Sequence, residues 1–143
     1  MDTSGNCSGA GSGSSGTVTP KAPVAPAAVN DPFYSMQWHL NNEGQTGGKV
    51  DADVDAPEAW AIEEGSNKVV IAIVDSGVDY THPDLAFNMW RSYGQIVGAG
   101  GDEERYVDDE NGHGTHVAGI ADAVANNGIG VAGVARSAKI MAV

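Results

Sequence analysis

An unbroken apolar run, "VVIAIV" at residues 69–74, leads straight into Asp75 and the small pair Ser76 and Gly77. A run with no polar face fits a strand covered on both sides, as in parallel sheets flanked by helices. A second segment, "AKIMAV" at 138–143, predicts a partner strand. Between them, Val117, Ile120, Ala121 and Val124 recur at helical spacing, and "NNG" follows. That predicts a helix from His113 to about Ala125. Upstream, Asp55 as N-cap, Pro57 and Glu58 in a first turn and Gly65 as a stop predict a short helix at about 56–64. The order helix, strand, helix, strand predicts an α/β fold.

The start of the chain offers no core. Residues 4–16 are Gly/Ser-rich, and 17–29 carry Pro20, Pro23 and Pro26, so 1–30 read as a disordered Gly/Ser/Pro-rich tether. Aromatic residues begin at "NDPFYSMQWHLNN", and 31–143 read as one domain, the most that 143 residues allow. The net charge of −12 argues against a nucleic-acid partner, which wants Lys and Arg for its phosphates. No apolar stretch is long enough to predict a membrane span. The single cysteine, Cys7, permits no internal disulfide and reads as incidental to the tether. "MDTSGNCSGAG" has neither the basic nor the apolar region of a signal peptide.

In open α/β sheets, functional residues gather beyond the carboxyl ends of strands. Asp75 stands at such an end. Alone it would read as a turn aspartate. His113 changes the reading. It opens the predicted helix between Gly112 and Gly114, which permit close approach of another group. A helix N-terminus disfavours the imidazolium, while a neighbouring carboxylate favours it. An aspartate accepting from one ring nitrogen would leave the other free to take a proton, the Asp–His half of a nucleophilic relay. The pair His113 and His116 could instead hold a metal, but helical zinc pairs use i, i+4 spacing with a carboxylate. His116 therefore reads as a packed, hydrogen-bonded neighbour, and His39 and His82 as structural.

"IAIVDSGVDYTHPDL" and "GHGTHVAG" resemble the two N-terminal catalytic motifs of the subtilisin-like serine proteases, the subtilases. The flanks "QWHLNN", "APEAW" and "NNGIGVAGVA" resemble the same family, so the likeness covers about residues 30–143. It implies part of a three-layer subtilisin-like fold with a parallel sheet. It also implies a serine-type endopeptidase acting on polypeptides through an Asp-His-Ser triad, with Asp75 orienting and His113 as general base. A secreted or cell-surface setting and a monomeric full-length protein go with it. The third motif, resembling Gly-Thr-Ser-Met-Ala, and the family's oxyanion asparagine are absent. The only serine after His113 is Ser137 in "ARSAK", and Ser76 adjoins the aspartate. The expectation is an N-terminal part of a longer protease, inactive alone and prone to aggregate through unpartnered sheet edges. Two other readings compete. One is an inactive fragment or a calcium-binding surface module. The other is an aspartic-protease-like hydrolase suggested by "VDSG", against which the helix signals speak.

The resemblance also implies calcium, which takes oxygen ligands. Asp84 of "HPDL" and Asn127 of "NNGIG" match side-chain ligands, with Asn126 as alternative to Asn127. Ile129 and Val131 would offer carbonyls, and Asp31 of "NDP" a further carboxylate. Asp102, Glu103, Glu104, Asp108, Asp109 and Glu110 lack the ladder of an EF-hand and read as a solvated acidic loop.

Overall fold

A computed structural model describes residues 28–90 and 108–143. The expected tether up to residue 27 and most of the acidic loop, 91–107, lie outside the described residues. Four regular elements follow the expected order: α1 (Ala56–Trp60), β1 (Val70–Ile73), α2 (His113–Asp122) and β2 (Lys139–Ala142). A single 3-10 turn, Tyr34–Met36, precedes them.

β1 and β2 pair in parallel, from Val70 opposite Lys139 to Ile73 opposite Ala142. Parallel neighbours need a crossover rather than a tight turn. α2 lies in that crossover and packs against both strands. On the other edge of β2, Ile140 N–H donates to the Asn88 carbonyl at 2.8 Å, and Trp90 N–H donates to the Ile140 carbonyl at 2.7 Å. β2 is thus bonded on both edges, while β1 is bonded on one among the described residues.

The main core joins Ile73, Val78, Leu85, Met89, Ala118, Ala123 and Ile140, with Ile71 and Val117 packed against it. Among the described residues β1 is covered on one face, where the sequence predicts cover on both. Ile73 is 6 % exposed but Val74 is 78 % exposed, and Val70 is also open. Strand side chains alternate in direction, and among the described residues α2 covers the Ile71 and Ile73 side.

Both helices are shorter than the sequence predicts. Asp55 has a left-handed backbone (φ 53) and makes no side-chain cap, so the start of α1 rests on Pro57 and Glu58. Beyond Trp60 the chain has nothing to bury, with Ile62 78 % exposed. Gly65, with φ 93, turns the chain after the helix has already ended. α2 stops at Asp122 because the next residues find tertiary partners. Val124 N–H donates to the Asp84 carbonyl at 2.9 Å, and the Ala123 carbonyl accepts from Gly133 N–H at 3.2 Å. The last helix carbonyls, of Ile120, Ala121 and Asp122, accept from Val134 N–H, Ala135 N–H and Asn88 Nδ2 at 3.0, 2.9 and 3.0 Å.

A second cluster, Leu40, Ala56, Trp60 and Ala132, ties the segment after residue 30 to the loop after α2. Buried Gln37 clasps that loop, donating to the Ala132 carbonyl and accepting from its N–H, both at 2.8 Å. Trp60 Nε1 donates to the Val134 carbonyl at 2.8 Å, and the Arg136 guanidinium stacks 4.7 Å over its ring.

Candidate functional site

β1 ends at Ile73, so the turn that follows carries Asp75 beyond the carboxyl edge of the sheet. His113 is the first residue of α2. The two elements meet there: His113 Nδ1 lies 2.7 Å from Asp75 Oδ1. Ser76 N–H donates to the same oxygen at 2.7 Å. The backbone makes this approach possible. A Cβ on Gly114 would collide with the Gly77 carbonyl oxygen and stand 3.1 Å from Asp75 Cβ. Gly112 takes φ 90, a conformation that L side chains disfavour, and turns the chain into the helix.

The electrostatics follow from the contact. The His113 hydrogen bond, then that of Ser76 N–H, holds the Asp75 carboxyl below its ordinary range. Asp75 in turn raises the pKa of His113, with a smaller contribution from the charge of Asp109. The helix N-terminus acts in the opposite sense, and the carboxylate prevails. With Nδ1 engaged, Nε2 makes no hydrogen bond among the described residues. The His113 side chain is 67 % exposed and that of Asp75 20 %. An imidazole held at one nitrogen and open at the other can receive and return a proton.

Asp109 joins this site although the sequence reads it as part of a solvated loop. Its Oδ1 accepts from Ser76 Oγ at 2.8 Å, Gly112 N–H at 2.8 Å and Asn111 N–H at 3.0 Å. Its Oδ2 accepts from Thr115 N–H at 2.8 Å and Thr115 Oγ at 2.7 Å. Partial desolvation pushes its pKa up, but the bonds from Thr115, Gly112 and Ser76 outweigh that and hold it well below the usual carboxylate range. His116 differs from expectation too. It is exposed, because the inner side of α2 is formed by Gly114, Val117, Ala118 and Ala121. His82 Nδ1 accepts from Asp84 N–H at 3.2 Å, a local turn contact. His39 Nε2 is buried without a partner among the described residues.

The residues proposed for calcium meet at a second place, the loop 126–131. Asp84 is 2 % exposed and Asp31 4 %. Asp84 Oδ1 accepts from Asn127 Nδ2 at 2.7 Å and its Oδ2 from Val131 N–H at 2.9 Å. Asp31 accepts from Asn126 N–H at 2.8 Å, Asn127 N–H at 3.1 Å and Gly128 N–H at 3.2 Å. Asn127 Oδ1 accepts from Ile129 N–H at 2.7 Å, and Asn126 Oδ1 from Asn30 N–H at 3.0 Å. The alternate carbonyls differ in use. Those of Gly130 and Ala132 accept from Phe33 N–H and Gln37 Nε2 at 3.0 and 2.8 Å. Those of Ile129 and Val131 accept nothing among the described residues. Two buried carboxylates, an amide and two free carbonyls are the oxygen donors that a hard divalent cation takes. Asp84 and the free carbonyls fit best. Asp31 is already filled by loop N–H groups, and Asn127 turns its nitrogen, not its oxygen, toward Asp84. Among the described residues, no three His, Cys, Asp or Glu side chains gather as a metal cluster.

Comparison with known proteins agrees with this architecture. A sequence profile of the subtilase family (peptidase S8) matches residues 66–143. The chain belongs to the subtilase family. This subtilase chain is 46 % identical to neuroendocrine convertase 2 of Drosophila melanogaster over 113 residues, covering 77 % of this chain and 17 % of that protein. Against neuroendocrine convertase 2 of Bos taurus the identity is 43 %, covering 78 % of this chain and 18 % of the relative. The chain therefore spans less than a fifth of the length of these relatives. Among solved structures, the serine protease of Aeromonas sobria in complex with its chaperone is similar with a TM-score of 0.65 and 35 % identity, over 79 % of this chain and 19 % of that one. Proteases of Pseudoalteromonas arctica give a TM-score of 0.59 at 35 % identity, over 83 % of this chain and 38 % of that one. The subtilase fold of this chain is thus α/β with a parallel sheet. No helix among the described residues is long and apolar enough to cross a membrane.

Proposed function

We propose that Asp75 and His113 are the orienting acid and general base of a serine endopeptidase whose nucleophile lies outside these 143 residues. The 2.7 Å Asp75–His113 contact carries the reading, because it leaves Nε2 as the nitrogen for proton transfer. In the relay, Nε2 takes the hydroxyl proton of a serine as its oxygen attacks the peptide carbonyl. It then returns that proton to the leaving amine. Asp75 holds the tautomer and balances the imidazolium as it forms. His113 must be neutral to act as base, so its raised pKa moves the onset of activity to higher pH. Polypeptide substrates, a secreted or cell-surface setting and a monomeric full-length state belong to the same reading. Calcium is part of it as well, held by Asp84 and the carbonyls of Ile129 and Val131, with Asn127 and Asp31 completing the site. Bound there, the ion would neutralise buried negative charge and stiffen the loop after α2.

Peptide hydrolysis by the 143-residue chain, and by a longer gene product that carries the serine, tests the reading. The expected result is none for the former, and a loss of roughly four orders of magnitude in kcat for Asp75→Asn in the latter. Hydrolysis by the short chain that disappears in His113→Ala, or a longer enzyme indifferent to Asp75→Asn, would overturn it.

A further inference from the structure

We propose that Asp109 is a positioning residue of the relay pair, locking the turn that carries Asp75 to the first turn of the helix that carries His113. The inference rests on the reading of Asp75 and His113 as acid and base.

An exposed pair of side chains is held weakly by its own hydrogen bond. The His113 ring is 67 % exposed, so its alignment depends on how firmly the two backbones are fixed to each other. Asp109 does that fixing. One of its oxygens reaches Ser76, the residue after Asp75, and Gly112, the residue before His113, each at 2.8 Å. The other takes both donors of Thr115, two positions beyond His113, at 2.8 and 2.7 Å. Two further bonds close the frame. Ser76 Oγ accepts from Gly114 N–H at 3.0 Å, and Thr115 Oγ accepts from Asp79 N–H at 2.9 Å. His113 is thereby bracketed on both sides by residues bonded to Asp109, while Asp75 is bracketed by its neighbour Ser76.

A plain helix cap would do less. The first N–H groups of a helix lack partners within it, and Gly112 has no side chain to supply one. Asp109 fills that role through Thr115 and Gly112. A cap alone, however, needs no bond to Ser76, which belongs to the turn after β1. That bond makes Asp109 a bridge between the two catalytic elements. Among the described residues, the charged groups that act on His113 are Asp75 and Asp109, both acidic.

The test follows the titration of His113 in the full 143-residue chain. The readout is the pH dependence of hydrogen–deuterium exchange at each histidine ring carbon, measured by mass spectrometry in dilute solution. A purely structural role would lower the unfolding temperature of a variant but leave the titration of its folded form unchanged. Asp75→Asn serves as the reference and is expected to bring His113 back toward its ordinary value. Asp109→Asn removes both the charge and the frame and is expected to lower the His113 pKa. Ser76→Ala keeps the Asp109 charge and removes the bridge together with the bond from Gly114 N–H, so it should lower the pKa by a smaller amount. It also decides the matter if Asp109→Asn fails to fold, since Ser76 is exposed. The proposal is overturned if Ser76→Ala titrates like the unaltered chain while Asp75→Asn does not, since a shift in Asp109→Asn alone reports only its lost charge. An unchanged titration in Asp75→Asn would instead sink the acid–base reading, and this proposal with it.

Discussion

Asp31 and Asp84 are almost wholly buried, whereas His113 and its partner Asp75 stand at the surface. Both places are built from carboxylates and neighbouring N–H groups, yet their bonding differs. Around 126–131 the oxygens of Asp31 and Asp84 are met by loop donors, and each bond joins segments far apart in the chain. At the pair, one imidazole nitrogen is held and the other is left open. Burial demands satisfied polar groups, so a buried cluster of this kind fastens the fold. A group that must exchange a proton needs an unfilled position and access. Asp122 belongs to neither class. It is fully buried, and both its oxygens lack hydrogen-bond partners among the described residues.

The severest way to break the contrast is Gly114→Ala. The added methyl would meet the Gly77 backbone, which cannot move aside as a flexible side chain could. We expect a loss above about 4 kcal/mol, the range of exceptional single substitutions, seen as a chain without a cooperative thermal transition. A folded variant with an unchanged His113 titration would show that the approach is not set by backbone contact.

Next in size is the behaviour of Asp122. Burial raises its pKa from 3.8 to about 7, offset only partly by the dipole of the nearby Ala138 N–H, which bonds to the Ala135 carbonyl instead, and by the charge of Lys139. A carboxyl with a raised folded-state value is neutral in the folded chain while it is already ionised in the unfolded one. Its contribution is therefore greatest below pH 3.8 and is lost as pH rises to about 7. With 1.36 kcal/mol per unit, the swing is of order 4 kcal/mol. Denaturant unfolding between those limits should show stability falling with pH in the unaltered chain and a flatter profile in Asp122→Asn. Equal slopes in the two would mean that the carboxylate finds a partner.

The mildest test sharpens the comparison at the buried end. Asp84→Asn turns one acceptor into a donor facing Asn127 or Val131, at a cost of about 1–3 kcal/mol. Millimolar calcium should raise the melting temperature of the unaltered chain and leave that of the variant where it was. No shift with calcium in either would remove the ion from the proposal.

The order of the elements was legible in the sequence because apolar periodicity and turn residues mark them directly. The pairing of Asp75 with His113 was legible from motif context, since Gly112 and Gly114 announce a close approach. One-sided burial of β1 was not. "VVIAIV" is apolar at every position, and only the packing of α2 tells its faces apart. The end of α2 was overestimated because Ala123 and Val124 suit a helix, and their bonds to Gly133 and Asp84 come from distant segments. Asp109 was hidden among like charges. The signal that singles it out is its place four residues before His113, followed by Asn111 and Gly112 and then by Thr115, whose two donors it takes. His116 was misjudged because a histidine near another invites pairing, while helix geometry turns it outward.

The frame around Asp109 bears on how this scaffold could be re-engineered. The segment 91–107 joins two secured ends: Trp90, bonded to Ile140 on the edge of the sheet, and Asp109, bonded across the turn to Ser76. Among the described residues, acid and base are registered by the bonds that Asp109 makes to Ser76, Gly112 and Thr115. A change of chain length between those ends carries an entropic cost of roughly 0.6 kcal/mol per doubling, and the bonds at the two ends are what would keep the spacing of Asp75 and His113.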